Sequence, residues 1–130
     1  YAECGGFMYL CEALVDMSDS VYSMAGLFPF KAVMNKRLRK LGYRRARLLE
    51  NSFMGEAGTR VDGHEFHYSH IVESEREDQA VQISRLYELD NNSHEGYHSG
   101  SAAGSYIHLH FGRNPEIVYY MYDYISSKIR

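Results

Sequence analysis

The chain has 130 residues, a 45 % apolar share and a formal net charge of −3. That is the size and make-up of one globular domain, or part of one. It carries no strongly basic field for nucleic acid, and no apolar run nears the roughly 20 residues that a bilayer span needs. The start holds Glu3 and no basic n-region, so it does not read as a signal peptide. Two cysteines, Cys4 and Cys11, are too few for a disulfide scaffold and lack a zinc-knuckle spacing. Free thiols persist in a reducing compartment, so a cytoplasmic setting is expected.

In chain order, residues 1–4 predict the end of a strand, and Gly5 and Gly6 a tight turn. Phe7, Met8, Leu10, Cys11, Leu14 and Val15 fall at helical spacing, which predicts a helix over 7–15. Residues 18–20 form a polar turn, and 21–27 look extended until Pro29 interrupts them. The stretch 31–41, with Lys36, Arg37, Arg39 and Lys40, is a basic solvated surface, a helical turn or a loop ended by Gly42. A strand over 43–49, a loop over 51–58 and a strand-like segment within 60–72 follow. Residues 73–79 are charged and solvated, and a strand is expected over about 80–89. Asp90-Asn91-Asn92 signals a turn, 95–97 a short strand, 99–104 a small-residue loop and 104–111 a strand. Asn114 as N-cap and Pro115 at the first helical position then open a helix to about Lys128. Its tyrosines, Tyr119, Tyr120, Tyr122 and Tyr124, are expected to straddle core and solvent.

A cysteine on a strand-to-helix turn is a recurrent setting for a nucleophile. The turn exposes the sulfur, glycines let the backbone bend, and the following helix start favours a thiolate. Cys4 ahead of Gly5-Gly6 has that form, and a buried structural cysteine at a tight turn is the alternative. A thiol nucleophile needs a proton acceptor, most often a histidine distant in sequence. Seven histidines compete. His108 and His110 stand two apart on a predicted strand and so share a face. His64 and His67 flank Glu65 and Phe66. His70, His94 and His98 lie in polar surroundings and are read as surface residues. Histidines that could ligate zinc occur at His64-Glu65-Phe66-His67 and at His108-Leu109-His110. The first lacks a residue of the helical His-Glu-x-x-His pattern and the second has no evident third ligand, so no metal site is assigned.

Three segments, read together, resemble one family. Tyr1-Ala2-Glu3-Cys4-Gly5-Gly6-Phe7-Met8-Tyr9-Leu10 is similar to the nucleophile turn of cobyrinic acid a,c-diamide synthases. Gly63-His64-Glu65-Phe66-His67-Tyr68-Ser69 resembles a second signature of those enzymes, and Ser105-Tyr106-Ile107-His108-Leu109-His110-Phe111 the segment with the catalytic histidine. Met24 to Pro29 and Leu41 to Arg44 agree, so the resemblance spans nearly the whole chain. It implies an α/β layered domain of the class I glutamine amidotransferase type, incomplete at its N-terminal side.

The same resemblance implies Cys4 as nucleophile, His108 as its partner, and Gly5 and Gly6 as the turn, with the Gly5 N–H at the oxyanion. Glu65, His67 and His110 are supporting candidates. Ala2 and Met8 stand where the wider class has Gly and Gln, and His110 stands where it has Glu. The expectation is therefore a Cys–His dyad. The chain opens on Tyr1 rather than Met and is read as the C-terminal portion of its domain. An ATP-dependent amidoligase domain is expected upstream, holding ATP and magnesium at sites outside these residues. Glutamine and a corrin-type tetrapyrrole are the implied substrates, and a homo-oligomer is compatible. Alternatives are a synthase acting on a nickel sirohydrochlorin, a cobyric acid synthase, a non-catalytic domain of the same fold and a zinc-binding module.

Overall fold

The computed structural model describes residues 1–73 and 82–129. Two sheets carry the fold. The larger has seven strands in the order β1 (Ala2–Glu3), β10 (Ala102–Ser105), β9 (His94–Ser99), β8 (Ser84–Leu89), β5 (Lys40–Leu48), β6 (Arg60–His67) and β11 (Ile107–Leu109). The smaller has four, in the order β3 (Val21–Ser23), β2 (Cys11–Val15), β4 (Phe28–Met34) and β7 (Ser69–Glu73). Helix α1 (Gly5–Leu10) leads from one sheet into the other, and α2 (Pro115–Ile129) closes the chain. The β1–β10 and β2–β4 pairs are parallel and the rest antiparallel. The architecture is α/β, as expected, with strands outweighing helices.

The large sheet returns on itself. Its edge strands are β1 and β11, yet the Leu109 N–H on β11 donates to Glu3 Oε1 on β1 at 2.8 Å. The Tyr1 and Phe111 rings meet edge-on at 6.1 Å beside them. One residue, Tyr106, separates β10 from β11, so the chain crosses this seam in a single step.

Two apolar clusters fill the interior. One gathers Leu48, Met54, Val61, Leu86, Tyr87, Ile107 and Ile117. Helix α2 joins it through Ile117, Met121 and Tyr124, an i, i+4, i+7 face, and leaves Tyr119 and Tyr122 exposed. The other joins α1 to both sheets. The fully buried Phe7 ring meets Phe28, Tyr97 and Tyr106 at 5.4–5.9 Å between centroids.

Several sequence expectations are corrected. The helix predicted over 7–15 stops at Leu10, because Cys11 to Val15 become a central strand between β3 and β4. Cys11, Leu14 and Val15 fit a helical period, whereas Cys11 and Ala13, the buried pair, fit a period of two, and sheet pairing decides. Pro29 does not interrupt β4. It lies at the register shift opposite Cys11 and Ala13, where irregular pairing tolerates its missing N–H. The basic stretch is not helical: Lys31 to Met34 finish β4, Lys40 opens β5, and Gly42 lies inside β5. The small-residue loop over 99–104 contains strand β10. Gly104 is small there for a reason, since a Cβ would run into the Phe7 ring and stand 3.2 Å from Phe28 Cε2. The strand over 104–111 is two strands, broken at Tyr106 and ended at Leu109. Asn114 precedes α2 as expected, but its amide pairs with the Asp62 backbone on β6 (2.8 Å both ways) rather than capping the helix. Residues 74–79 of the solvated stretch and the predicted strand start at 80–81 lie outside the described residues.

Candidate active site

Cys4 sits on the seam, between β1 and α1. Its backbone takes φ 48° and ψ −107°, a region that costs a non-glycine residue on the order of 1–3 kcal/mol. The sharp bend is thus at Cys4 itself. Gly5 and Gly6 are the first residues of α1, and a Cβ at Gly5 would meet nothing within 4 Å. The bend is pinned on both sides: the Cys4 N–H donates to the Ser105 carbonyl at 2.8 Å, and the Met8 N–H donates to the Cys4 carbonyl at 2.9 Å. The thiol is partly buried and faces the Phe66 carbonyl at 3.9 Å. Burial pushes it above its ordinary pKa, the Glu3 charge adds to that, and the Gly5 N–H acts the other way. The helix start therefore does not win, and the net effect on the thiol is upward. Cys11 is fully buried, and burial pushes its thiol up to about 12.

His108 occupies the centre of β11, paired with His64 on β6. The two rings stack at 4.9 Å, 15° apart in plane. His108 Nδ1 stands 3.8 Å from Glu3 Oε2. Glu3 is the residue before Cys4, so one dipeptide carries both the thiol and the carboxylate that faces the imidazole. Both the thiol and the imidazole border β6, at Phe66 and His64, two residues or about 6.8 Å of strand apart.

Glu3 was missed in the sequence, where it counted only as an acidic residue near the start. His64 was noticed without a role. The available signal was the Glu-Cys adjacency, but nothing in it announces that β1 meets β11.

His110 falls elsewhere. β11 ends at Leu109, so the two-residue periodicity does not carry His108's face on to His110. His110 is exposed, its N–H donates to the Asp62 carbonyl, and among the described residues no hydrogen bond or ring contact joins it to His108.

Glu65 and His67 lie on the opposite face of β6 from His64 and Phe66, because the strand alternates buried and exposed. Both are buried. Glu65 pairs with Arg44 and, at 3.3 Å, with His67 Nε2. Burial works to raise the Glu65 carboxyl, but the His67 hydrogen bond and Arg44 together outweigh it and hold it below the ordinary carboxylate value. The His67 ring stacks on Tyr106 at 3.9 Å, and the Tyr106 hydroxyl hydrogen-bonds Ser69 Oγ at 2.7 Å. Ser69 Oγ donates in turn to Met8 Sδ on α1 at 3.2 Å. Residues 65–69 thus form a polar brace reaching the underside of the Cys4 helix.

Glu95 lies behind that brace. It accepts the Ser105 hydroxyl at 2.5 Å and the Tyr106 N–H at 2.8 Å, and burial pushes its carboxyl from 4.5 up to about 7. Between those values the folded chain holds a proton that the unfolded chain has released, so stability falls as pH rises from about 4.5 through about 7. Glu95→Gln should flatten that slope. In thermal melts at pH 5 and pH 8, the variant is expected to lose about 2 kcal/mol of the parent's pH-dependent difference.

Among the described residues, no group of three or more His, Cys, Asp or Glu side chains could hold a metal ion. No described helix is long and apolar enough to cross a membrane.

Residues 1–116 match the CobB/CobQ-like glutamine amidotransferase domain. The chain is 39 % identical over 126 residues to a cobyrinate a,c-diamide synthase of Listeria monocytogenes serotype 4b (strain F2365), covering 97 % of this chain and 28 % of that protein. It is 38 % identical over 120 residues to the cobyrinate a,c-diamide synthase of Dehalococcoides mccartyi (strain ATCC BAA-2266 / KCTC 15142 / 195), covering 90 % and 26 %. It is 35 % identical over 118 residues to the one from Salmonella typhimurium (strain LT2), covering 91 % and 26 %. The chain spans about a quarter of the length of these relatives. It belongs to the CobB/CobQ-like glutamine amidotransferase domain family.

Proposed function

We propose that this chain hydrolyses glutamine and supplies the ammonia for amidation of the a and c acetate carboxylates of cobyrinate. The observation that carries the reading is the seam itself: a thiol on a strained bend, with the Glu3 carboxylate one residue before it facing the His108 imidazole of β11. The names of the relatives support the macrocycle.

Cys4 Sγ attacks the side-chain amide carbon of glutamine while His108 takes the thiol proton. Burial disfavours a free thiolate, so this transfer accompanies attack. The Gly5 N–H, which already faces the sulfur, donates to the developing oxyanion. His108 then passes its proton to the leaving ammonia, and water clears the γ-glutamyl thioester to give glutamate. The buried brace of Glu65, His67 and Tyr106 holds the floor under α1. ATP and magnesium belong, in this reading, to an amidoligase part of the complete enzyme, where they would activate the substrate carboxylates. The setting of that complete enzyme is cytoplasmic.

The test supplies the complete enzyme with glutamine, ATP, magnesium and either cobyrinate or nickel sirohydrochlorin. Glutamine-dependent addition of two amides to cobyrinate, read by mass, is the expected result. Turnover of nickel sirohydrochlorin alone would move the assignment to that macrocycle, and no glutamine hydrolysis with either would end it.

A further inference from the structure

The two oxygens of the Glu3 carboxylate meet different partners. Oε1 accepts the Tyr1 hydroxyl at 2.7 Å and the Leu109 N–H at 2.8 Å. Oε2 faces His108 Nδ1 at 3.8 Å. Both side chains are only part exposed, 23 % for Glu3 and 35 % for His108. His64 stacks on the imidazole and limits its rotation. The groups that meet His108 are thus Glu3 from β1 and His64 from β6, and Cys4 follows Glu3 in the chain.

A histidine that moves a proton at one ring nitrogen works best when the other is held by an acceptor. The acceptor fixes the tautomer and stabilises the imidazolium that forms. Here the held nitrogen is Nδ1, which leaves Nε2 for the thiol. A separation of 3.8 Å exceeds a hydrogen bond, but such contacts are often long before substrate binds and tighten afterwards. His108's own strand, Ile107–Leu109, contains no acidic residue.

We propose that Glu3 is the positioning carboxylate of this site, holding His108 through Nδ1 so that Nε2 is presented to Cys4. This rests on the reading of Cys4 and His108 given above. Glu3 also clasps the seam through Leu109, and the two roles separate chemically. In Glu3→Gln the amide oxygen still accepts the Leu109 N–H, so the clasp survives. What is lost is the negative charge opposite Nδ1.

The test uses the complete enzyme with 15N-labelled histidine, the His108 signals being assigned by their loss in His108→Gln. In the parent, neutral His108 is expected to carry its proton on Nδ1. In Glu3→Gln the signals should move toward a mixture of tautomers. kcat for glutamine hydrolysis should fall on the order of 10²-fold with KM changed less than about threefold. Amidation from free ammonia and the melting temperature should stay near the parent's. A parent that carries the proton on Nε2, a tautomer unmoved by Glu3→Gln, or a variant kcat within about twofold of the parent would overturn the proposal. Failure of the underlying reading looks different: Cys4→Ala or His108→Gln would then hydrolyse glutamine at the parent rate, whatever Glu3 does.

Discussion

Replacing Cys4 with Ala is expected to abolish glutamine-dependent amidation, by a factor on the order of 10⁴ or more, and to leave ammonia-dependent amidation intact. The substitution removes the one atom that forms the covalent bond. It keeps the Cβ, so the strain at φ 48° is unchanged, and it keeps both backbone hydrogen bonds that pin the bend. The thiol's contact to the Phe66 carbonyl is long at 3.9 Å and contributes little to stability. A steady-state assay with glutamine and then with ammonium chloride as donor reads both halves. Loss of both activities in a protein that melts normally would count against assigning Cys4 to glutamine alone.

Gly63→Ala is expected to produce the second large effect, through structure rather than chemistry. A Cβ at this position would lie 2.6 Å from Ile107 Cγ2 and closer still to the His108 carbonyl oxygen. Gly63 pairs with Leu109, and the invaded atoms belong to β11, the strand that carries His108. Backbone cannot swing aside as a flexible side chain can. The strand must shift, at a cost of about 3 kcal/mol, read as a lower melting temperature. Any variant that still folds should lose glutamine hydrolysis at least 10²-fold, because a shift of about 1 Å misplaces the imidazole. Gly5→Ala is the control. Space around Gly5 is open and its φ is not positive, so Ala at the helix start should leave the melting temperature unchanged or slightly higher.

Part of the candidate site could be nominated from sequence. Cys4 stood out through the resemblance of residues 1–10 to a known nucleophile turn, since a cysteine before two glycines also suits a structural turn. His108 was nominated from its segment and not from its chemistry, since seven histidines are equivalent until a fold ranks them. The closing helix and most strands followed from period and turn residues. The strand at Cys11 to Val15 was hidden because five residues satisfy either period, and only the neighbours β3 and β4 choose between them. Glu3 was hidden for a related reason. Its partners are Leu109 and His108, more than a hundred residues away, and no local pattern encodes a sheet whose edges meet. His110 erred in the opposite direction: alternation was extended past the end of its strand. Residues 65–69 were recognised as a signature, but only folding shows that Glu65, His67 and Ser69 face inward as a brace beneath α1.

If the sulfur on this seam is the nucleophile, it forms a covalent bond to the glutamyl group. Rapid acid quenching of the complete enzyme during turnover with glutamine, followed by peptide mass mapping, reads that bond directly. A γ-glutamyl thioester is expected on the peptide holding Cys4, accumulating in a variant slowed at deacylation and absent from Cys4→Ser treated in the same way. Ammonia release with Cys4 unmodified at every quench time, or an adduct on Cys11 instead, would contradict it.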